Sequence, residues 1–151
     1  MLASRKLAIP LSNFPARIRG TSCVFIAPSL MAVSLETPCF ALIDGALCKL
    51  NRRGGVLKRH TPLGSAVVEF RLHGDQLFVR EEARGFLLGM PNLYCLDLNL
   101  FISWLAELPG PGDPFEAIEE SDSLSLLCRT VGGITCRIST TDGKVLEPAL
   151  V

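Results

Sequence analysis

No stretch of this sequence stays apolar for long. The most nearly continuous run, residues 24–35, is twelve residues with Pro28 inside it. A membrane-spanning helix needs roughly 20 apolar residues, so no membrane span is expected. Histidine is scarce, with only His60 and His73. Both lie beside expected turns, where a solvated imidazole is the default. There is no Gly-x-Ser-x-Gly, no His-Glu-x-x-His and no Cys-x-x-Cys. These absences remove the usual signatures of a serine hydrolase, a zinc protease and a thiolate metal site. No catalytic residue, cofactor or metal ligand is nominated, and the sequence reads as a non-enzymatic protein.

Acidic residues are missing from the first 35 positions, where Arg5, Lys6, Arg17 and Arg19 sit among serines and apolar residues. That is the composition of a targeting peptide, yet Pro10 and Pro15 interrupt any amphipathic helix. Residues 1–25 are therefore read as a basic, loosely attached arm, and residues 26–151 as a single domain. The zero net charge hides an asymmetry. Residues 1–60 hold nine Lys/Arg against Glu36 and Asp44, a net of +7, and the rest of the chain carries −7. Solvated loops on either half are the plain reading; attraction between the halves, within the chain or between copies, is a second, and contact of the basic half with nucleic acid or anionic lipid a third. Nucleic acid is the weaker reading, because the basic residues are not interleaved with aromatic side chains that could stack on bases.

Hydrophobic residues make up 48% of the chain and charged residues 20%, which excludes a disordered segment. Thirteen Gly and ten Pro favour short elements joined by turns over long helices. The six cysteines are Cys23, Cys39, Cys48, Cys95, Cys128 and Cys136, and the last five fall within apolar, strand-like runs. Buried thiols are expected, in a reducing, cytoplasmic setting.

Three segments read alike: 46–58, 92–104 and 134–146. Each has a short strand ending in Leu50, Leu96 or Ile138, followed at once by Asn51, Asp97 or Ser139, then a tight turn and a second apolar strand. The anchors are 46 and 42 residues apart. That period suits four strands with their turns, and Asp142-Gly143 and Gly132-Gly133 supply the positive φ that hairpins need. The expected units are approximately 30–60, 64–109 and 113–151. The first contains strands at 30–35, 39–43, 46–50 and 56–59. The second has them at 66–72, 76–82, 86–88 leading into 93–97, and 100–108. The third places strands at 114–119, 124–130, 134–138 and 144–147, with a turn at Glu120-Ser121-Asp122. The fold class is all-β, built from repeated four-stranded antiparallel units.

Asn92 to Asp97 followed by Ile102-Ser103-Trp104, and Ser139 to Leu146 with its Thr-Asp-Gly-Lys turn, resemble the blade-closing hairpin of β-propellers of the quinoprotein-like (PQQ-like) and WD40-like kind. The resemblance covers about three blades. It marks Leu50, Asn51, Leu96, Asp97, Trp104, Ile138, Asp142 and Gly143 as residues of the repeat. Closed propellers use 4–8 blades, so an incomplete ring is expected. The resemblance also implies, for pyrroloquinoline-quinone dehydrogenases, a cofactor between a Trp and a disulfide and a calcium ion held by carboxylates. None of that constellation carries over, so any enzymatic kinship is that of a fragment or divergent relative without its own active site.

A binding or self-associating module is the functional expectation. Its candidate contact surface is the basic hairpin bearing Arg52, Arg53, Lys58 and Arg59. Glu81, Glu82 and Arg84 read as an exposed, charged edge. Glu119, Glu120 and Asp122 read as a solvated hairpin tip lacking the ligand spacing of a calcium loop.

Overall fold

The computed structural model describes residues 38–148, and these form antiparallel strands joined by turns, with no helix among the described residues. The strands are β1 (Cys39–Ile43), β2 (Ala46–Leu50), β3 (Val56–Arg59), β4 (Val67–His73), β5 (Gln76–Glu81), β6 (Leu93–Leu96), β7 (Ile102–Leu105), β8 (Phe115–Ser121), β9 (Ser125–Thr130), β10 (Thr135–Ser139) and β11 (Val145–Pro148). They make three separate sheets, ordered β1-β2-β3, β4-β5-β6-β7 and β8-β9-β10-β11, none closed into a barrel. The all-β, repeated-sheet expectation holds. The expected strand at 30–35, the arm at 1–25 and Cys23 lie outside the described residues.

The repeat is written in turn chemistry. Asn51 Oδ1 accepts from the N–H of Arg53 and Gly55, and Asp97 Oδ1 from the N–H of Asn99 and Phe101, while Ser139 Oγ accepts from Thr141. A short polar side chain directly after the strand thus caps the turn that follows it. In each case the next strand pairs back through a bulge at the same place: Lys49/Leu50, Cys95/Leu96 and Arg137/Ile138. Such a bulge turns the outgoing strand without breaking the ladder.

Three boundaries differ from expectation. Residues 86–88 are not a strand; they sit in a loop between Gly85 and Gly89, whose positive φ values break extended backbone. Of residues 100–108 only β7 is extended, because Leu100 belongs to the Asp97-capped turn and has φ 67°. The third unit's turn is Asp122-Ser123-Leu124 rather than 120–122, since Asp122 Oδ1 takes the N–H groups of Leu124 and Ser125. These hydrogen bonds hold the Asp122 carboxyl below its ordinary pKa.

The middle sheet is buried on both faces. Leu77, Val79, Tyr94 and Leu96 join Phe40, Leu47, Val67 and Phe70 in one core, between the first and second sheets. Phe78, Leu93 and Cys95 join Phe115, Ile118, Leu126, Cys128, Cys136 and Ile138 in another, between the second and third. Successive strand residues point to opposite faces, so β5 and β6 must be apolar at nearly every position. Cys95, Cys128 and Cys136 are buried in the second of these cores and Cys48 in a smaller cluster with Ala41 and Leu50, and none of the four is disulfide-bonded.

Polar contacts fix how the sheets meet. The Trp104 indole N–H and the Gln76 amide both donate to the Thr140 carbonyl, at 3.1 and 2.7 Å. Glu69 joins Arg80, Arg71 and the Ile118 N–H, tying β4 and β5 to β8. Asn92, fully buried, exchanges hydrogen bonds with the Phe115 backbone in both directions. The Trp104 ring lies directly on Gly143: a Cβ there would stand 2.5 Å from Cε3 and 2.9 Å from the Leu105 carbonyl oxygen.

Gly143→Ala therefore combines two costs, a side chain forced to φ +79° and a clash with ring and backbone. The expected loss of unfolding free energy is about 3 kcal/mol. Gly74→Ala, with φ +65° but nothing within 4 Å, should lose only about 1 kcal/mol. Urea denaturation of the two variants checks this; equal losses would refute the Trp104–Gly143 packing argument.

Candidate functional site

The most elaborate polar arrangement sits where the chain crosses from the first sheet to the second. The crossing segment, residues 60–66, has no strand partner to occupy all of its N–H groups. Glu81, at the end of β5, takes that role. Its Oε1 accepts from the N–H of Gly64 and Ser65 at 2.9 and 2.8 Å, and its Oε2 from the N–H of Leu63 at 2.6 Å and from the Tyr94 hydroxyl. With its one proton given to Glu81, the Tyr94 oxygen accepts from His60 Nε2 at 2.8 Å, so His60 is the Nε2–H tautomer. Glu81 and Tyr94 are wholly buried, and His60 is 7% exposed.

Two expectations are corrected here. His60 is not a solvated imidazole, because the second sheet closes over it; His73 lies at the end of β4 and is half-buried. Glu81 does not belong to an exposed charged edge, since its position in β5 points into the gap beneath the crossing segment; Glu82, the next residue, does face solvent. Chemically the network is saturated. An ionised carboxylate has about four acceptor positions, and four donors occupy them. The cluster is a brace, with no lone pair left for proton abstraction from a ligand.

Above this brace lies an apolar groove of about 330 Å³, lined by Leu63, Phe86, Leu87, Met90, Pro91, Ile102 and Leu105. Glu81 positions the Leu63 wall through the N–H groups it binds. Gly64 lets the opposite wall close in, since a Cβ there would touch Phe86 at 3.0 Å and Leu87 at 3.1 Å. Ile102 and Leu105, on the edge strand β7, are 47% and 40% exposed. The groove is not legible in the sequence, where residues 86–88 read as a strand rather than as part of one wall of a pocket. The apolar residues Phe86, Leu87, Leu88 and Met90 in a glycine-bounded loop were the available signal.

The basic residues lie along one hairpin of the first sheet, with Lys58 and Arg59 on opposite faces of β3. Arg52 and Arg53 lie in the β2–β3 turn, and Lys58 and Arg59 on β3, all exposed. Lys58 is already engaged: its Nζ donates to the Asn99 carbonyl at 2.6 Å and sits 3.8 Å from the Phe101 ring centroid. Glu119 pairs with Arg129, and burial pushes the Cys95 thiol up to about 11 and the Cys128 thiol higher still. Both stay protonated at neutral pH, which removes them as nucleophiles. Among the described residues no helix is long and apolar enough to cross a membrane.

No protein-family model and no curated protein matches this sequence. Solved structures resemble it in fold. The computationally designed Ika4 protein is 12% identical with a TM-score of 0.58, covering 87% of this chain and 80% of that one. The designed Ika8 protein is 12% identical with a TM-score of 0.55, covering 77% and 35%. BamB from Moraxella catarrhalis is 19% identical with a TM-score of 0.50, covering 76% and 33%. The fold is propeller-like, and this chain spans about a third of the Ika8 and BamB chains.

Tyr94→Phe leaves the His60 N–H without an acceptor and Glu81 one donor short, so a loss of about 2–3 kcal/mol is expected in chemical denaturation. A second expectation concerns pH. Burial lowers the His60 pKa below its ordinary 6.5, against the opposing pull of Glu81. Above pH 6.5 both folded and unfolded chains carry neutral His60. As the pH falls below 6.5 the unfolded chain takes up a proton that the folded chain refuses, so stability falls. Melting temperatures from pH 8 to 5 should show this decline in the wild type and a shallower one in His60→Gln.

Proposed function

We propose that this chain is a non-enzymatic interaction module that binds an extended apolar segment of a protein partner along β7. The observation that carries this reading is the groove of about 330 Å³ beside an edge strand. An extended peptide is the ligand whose needs match. It can continue the ladder along β7 by its backbone and place alternate apolar side chains over Ile102, Leu105 and Leu63. The lining residues carry no charge, which disfavours phosphates and acidic ligands. The basic hairpin of Arg52, Arg53, Lys58 and Arg59 is at most an auxiliary contact in this proposal.

A head-to-tail ring of identical copies is less favoured. The outward face of the third sheet, opposite the Leu126–Cys128 side, carries Leu127, Arg129, Thr135 and Arg137. Docked on Ala41, Cys48 and Leu50, it would press the Arg137 guanidinium and the Arg129–Glu119 ion pair against an apolar surface, and taking such charges out of water costs several kcal/mol. Kinship with a propeller enzyme as a fragment or divergent relative is the second reading, and it rests on the resemblance of the repeat alone.

Selection of random displayed peptides on the full chain tests the proposal. Alternating apolar sequences should be enriched, and their affinity should fall about tenfold or more in Ile102→Asp and Leu105→Asp, each removing an apolar contact worth more than 1.4 kcal/mol. Arg52→Glu/Arg53→Glu should leave it unchanged. Enrichment of acidic peptides that depend on Arg52 and Arg53, or no enrichment at all, overturns the reading. Size exclusion at low and high salt should show a monomer; a concentration-dependent, salt-sensitive oligomer would instead support self-association.

A further inference from the structure

Among the described cysteines, two face each other. Strands β9 and β10 pair so that Cys128 and Cys136 are direct partners. Opposite residues of an antiparallel ladder share a face. Both side chains lie fully buried in the core between the second and third sheets, with Phe115, Ile118, Leu126 and Ile138. The other ladders set no second thiol against a cysteine. Cys39 stands opposite Leu50, Cys48 opposite Ala41 and Arg59, and Cys95 opposite Phe78 and Trp104.

The register sets their separation. The Thr130 N–H donates to the Ile134 carbonyl at 2.8 Å at one end of this ladder, and the Thr140 N–H to the Leu124 carbonyl at 3.1 Å at the other. Counted inward by twos, Cys128 and Cys136 are a hydrogen-bonded pair, with Cα atoms about 5.5 Å apart. Disulfides most often span about 5.5–6 Å between Cα atoms but only about 3.8 Å between Cβ atoms. A hydrogen-bonded pair holds its Cβ atoms about 5.5 Å apart, so the closed ladder keeps two thiols and a bond would draw the strands together. Burial raises the pKa of both thiols, and for Cys128 the neighbouring Cys136 adds to it. In the closed fold neither supplies a thiolate, and coupling waits for the hairpin to open. The third sheet is suited to such opening. Among the described residues it shares a core with one neighbouring sheet, whereas the middle sheet shares cores with two.

We propose that Cys128 and Cys136 are a redox-active dithiol, which a small-molecule disulfide couples into a cross-strand bond that staples β9 to β10. One cysteine, reached as the hairpin opens, loses its proton to water, and its thiolate attacks a sulfur of the oxidant. The oxidant's S–S bond breaks, a mixed disulfide forms and one small thiolate leaves. The second cysteine, deprotonated in turn, attacks the protein sulfur of that mixed disulfide. The Cys128–Cys136 bond forms and the second small thiolate leaves. Two electrons pass from the cysteine pair to the oxidant, and the two protons end on the two small thiols. Excess thiol reverses the reaction, because a bond that pulls a ladder pair together is readily reduced. Neither cysteine lines the apolar groove, so the staple does not rest on peptide binding.

Treating the folded full chain with oxidised glutathione tests this. After quenching with iodoacetamide, peptide mapping should show Cys128 joined to Cys136 within one chain, and dithiothreitol should release the link. Coupling should speed up about tenfold from pH 6.5 to 7.5, as thiols exposed by opening titrate near their ordinary pKa of about 8.5. Its rate should rise with urea more shallowly than global unfolding does, as a local opening requires. Cys136→Ala should stop at a mixed disulfide on Cys128, and Cys95→Ala should still couple the pair. The proposal is overturned if the link joins other cysteines or two chains, or if the wild type stops at mixed disulfides or does not react. A urea slope equal to that of global unfolding overturns it as well. Should Cys136→Ala fail to fold, the wild-type peptide map and urea slope decide.

Discussion

Everything in this structure hangs on the burial of the middle sheet from both sides. Strands β5 and β6 send Leu77, Val79, Tyr94 and Leu96 one way and Phe78, Leu93 and Cys95 the other, into two cores that no single sheet could close. A four-stranded sheet alone leaves at least one apolar face in water, so adjacent sheets stabilise each other. The demand for apolar residues on both faces also explains why charges within this stack come paired. Arg80 alternates with buried residues on β5 and is held by Glu69 at 2.7 Å.

Stacking separate sheets creates a second problem at each crossing. The backbone that passes from one sheet to the next leaves the ladder while still buried, and its N–H and C=O groups need partners. Glu81 supplies them at the first crossing. Asn92 does so at the second, through Phe115, while Asp113 of that crossing is anchored by the Thr130 hydroxyl and the Gly132 N–H. The same brace that satisfies residues 63–65 holds Leu63 against the apolar groove, so the stability of the crossing and the shape of the candidate binding surface share one cause.

Much of the architecture was legible in advance. The capping residues Asn51, Asp97 and Ser139 act within four positions of themselves, and the alternation around Leu50, Leu96 and Ile138 is equally local, so both survive in the bare sequence. The candidate site was far less legible. His60 and Glu81 look like surface residues beside turns, and nothing near them in sequence announces Tyr94, which arrives from 34 and 13 residues away. The groove was misread for a similar reason: its walls come from residues 63, 86–91 and 102–105, three stretches that meet only after the sheets have formed.

The sequence by itself determined the element type, the repeat period and the turns, because these follow from interactions between residues a few positions apart. Only the tertiary structure decided which polar side chains are buried and which apolar ones are exposed, as with Glu81 beneath the crossing segment and Leu105 on the edge of β7. The physical reason is that exposure belongs to the neighbour stacked above a residue, and the identity of that neighbour is set by the packing of whole sheets.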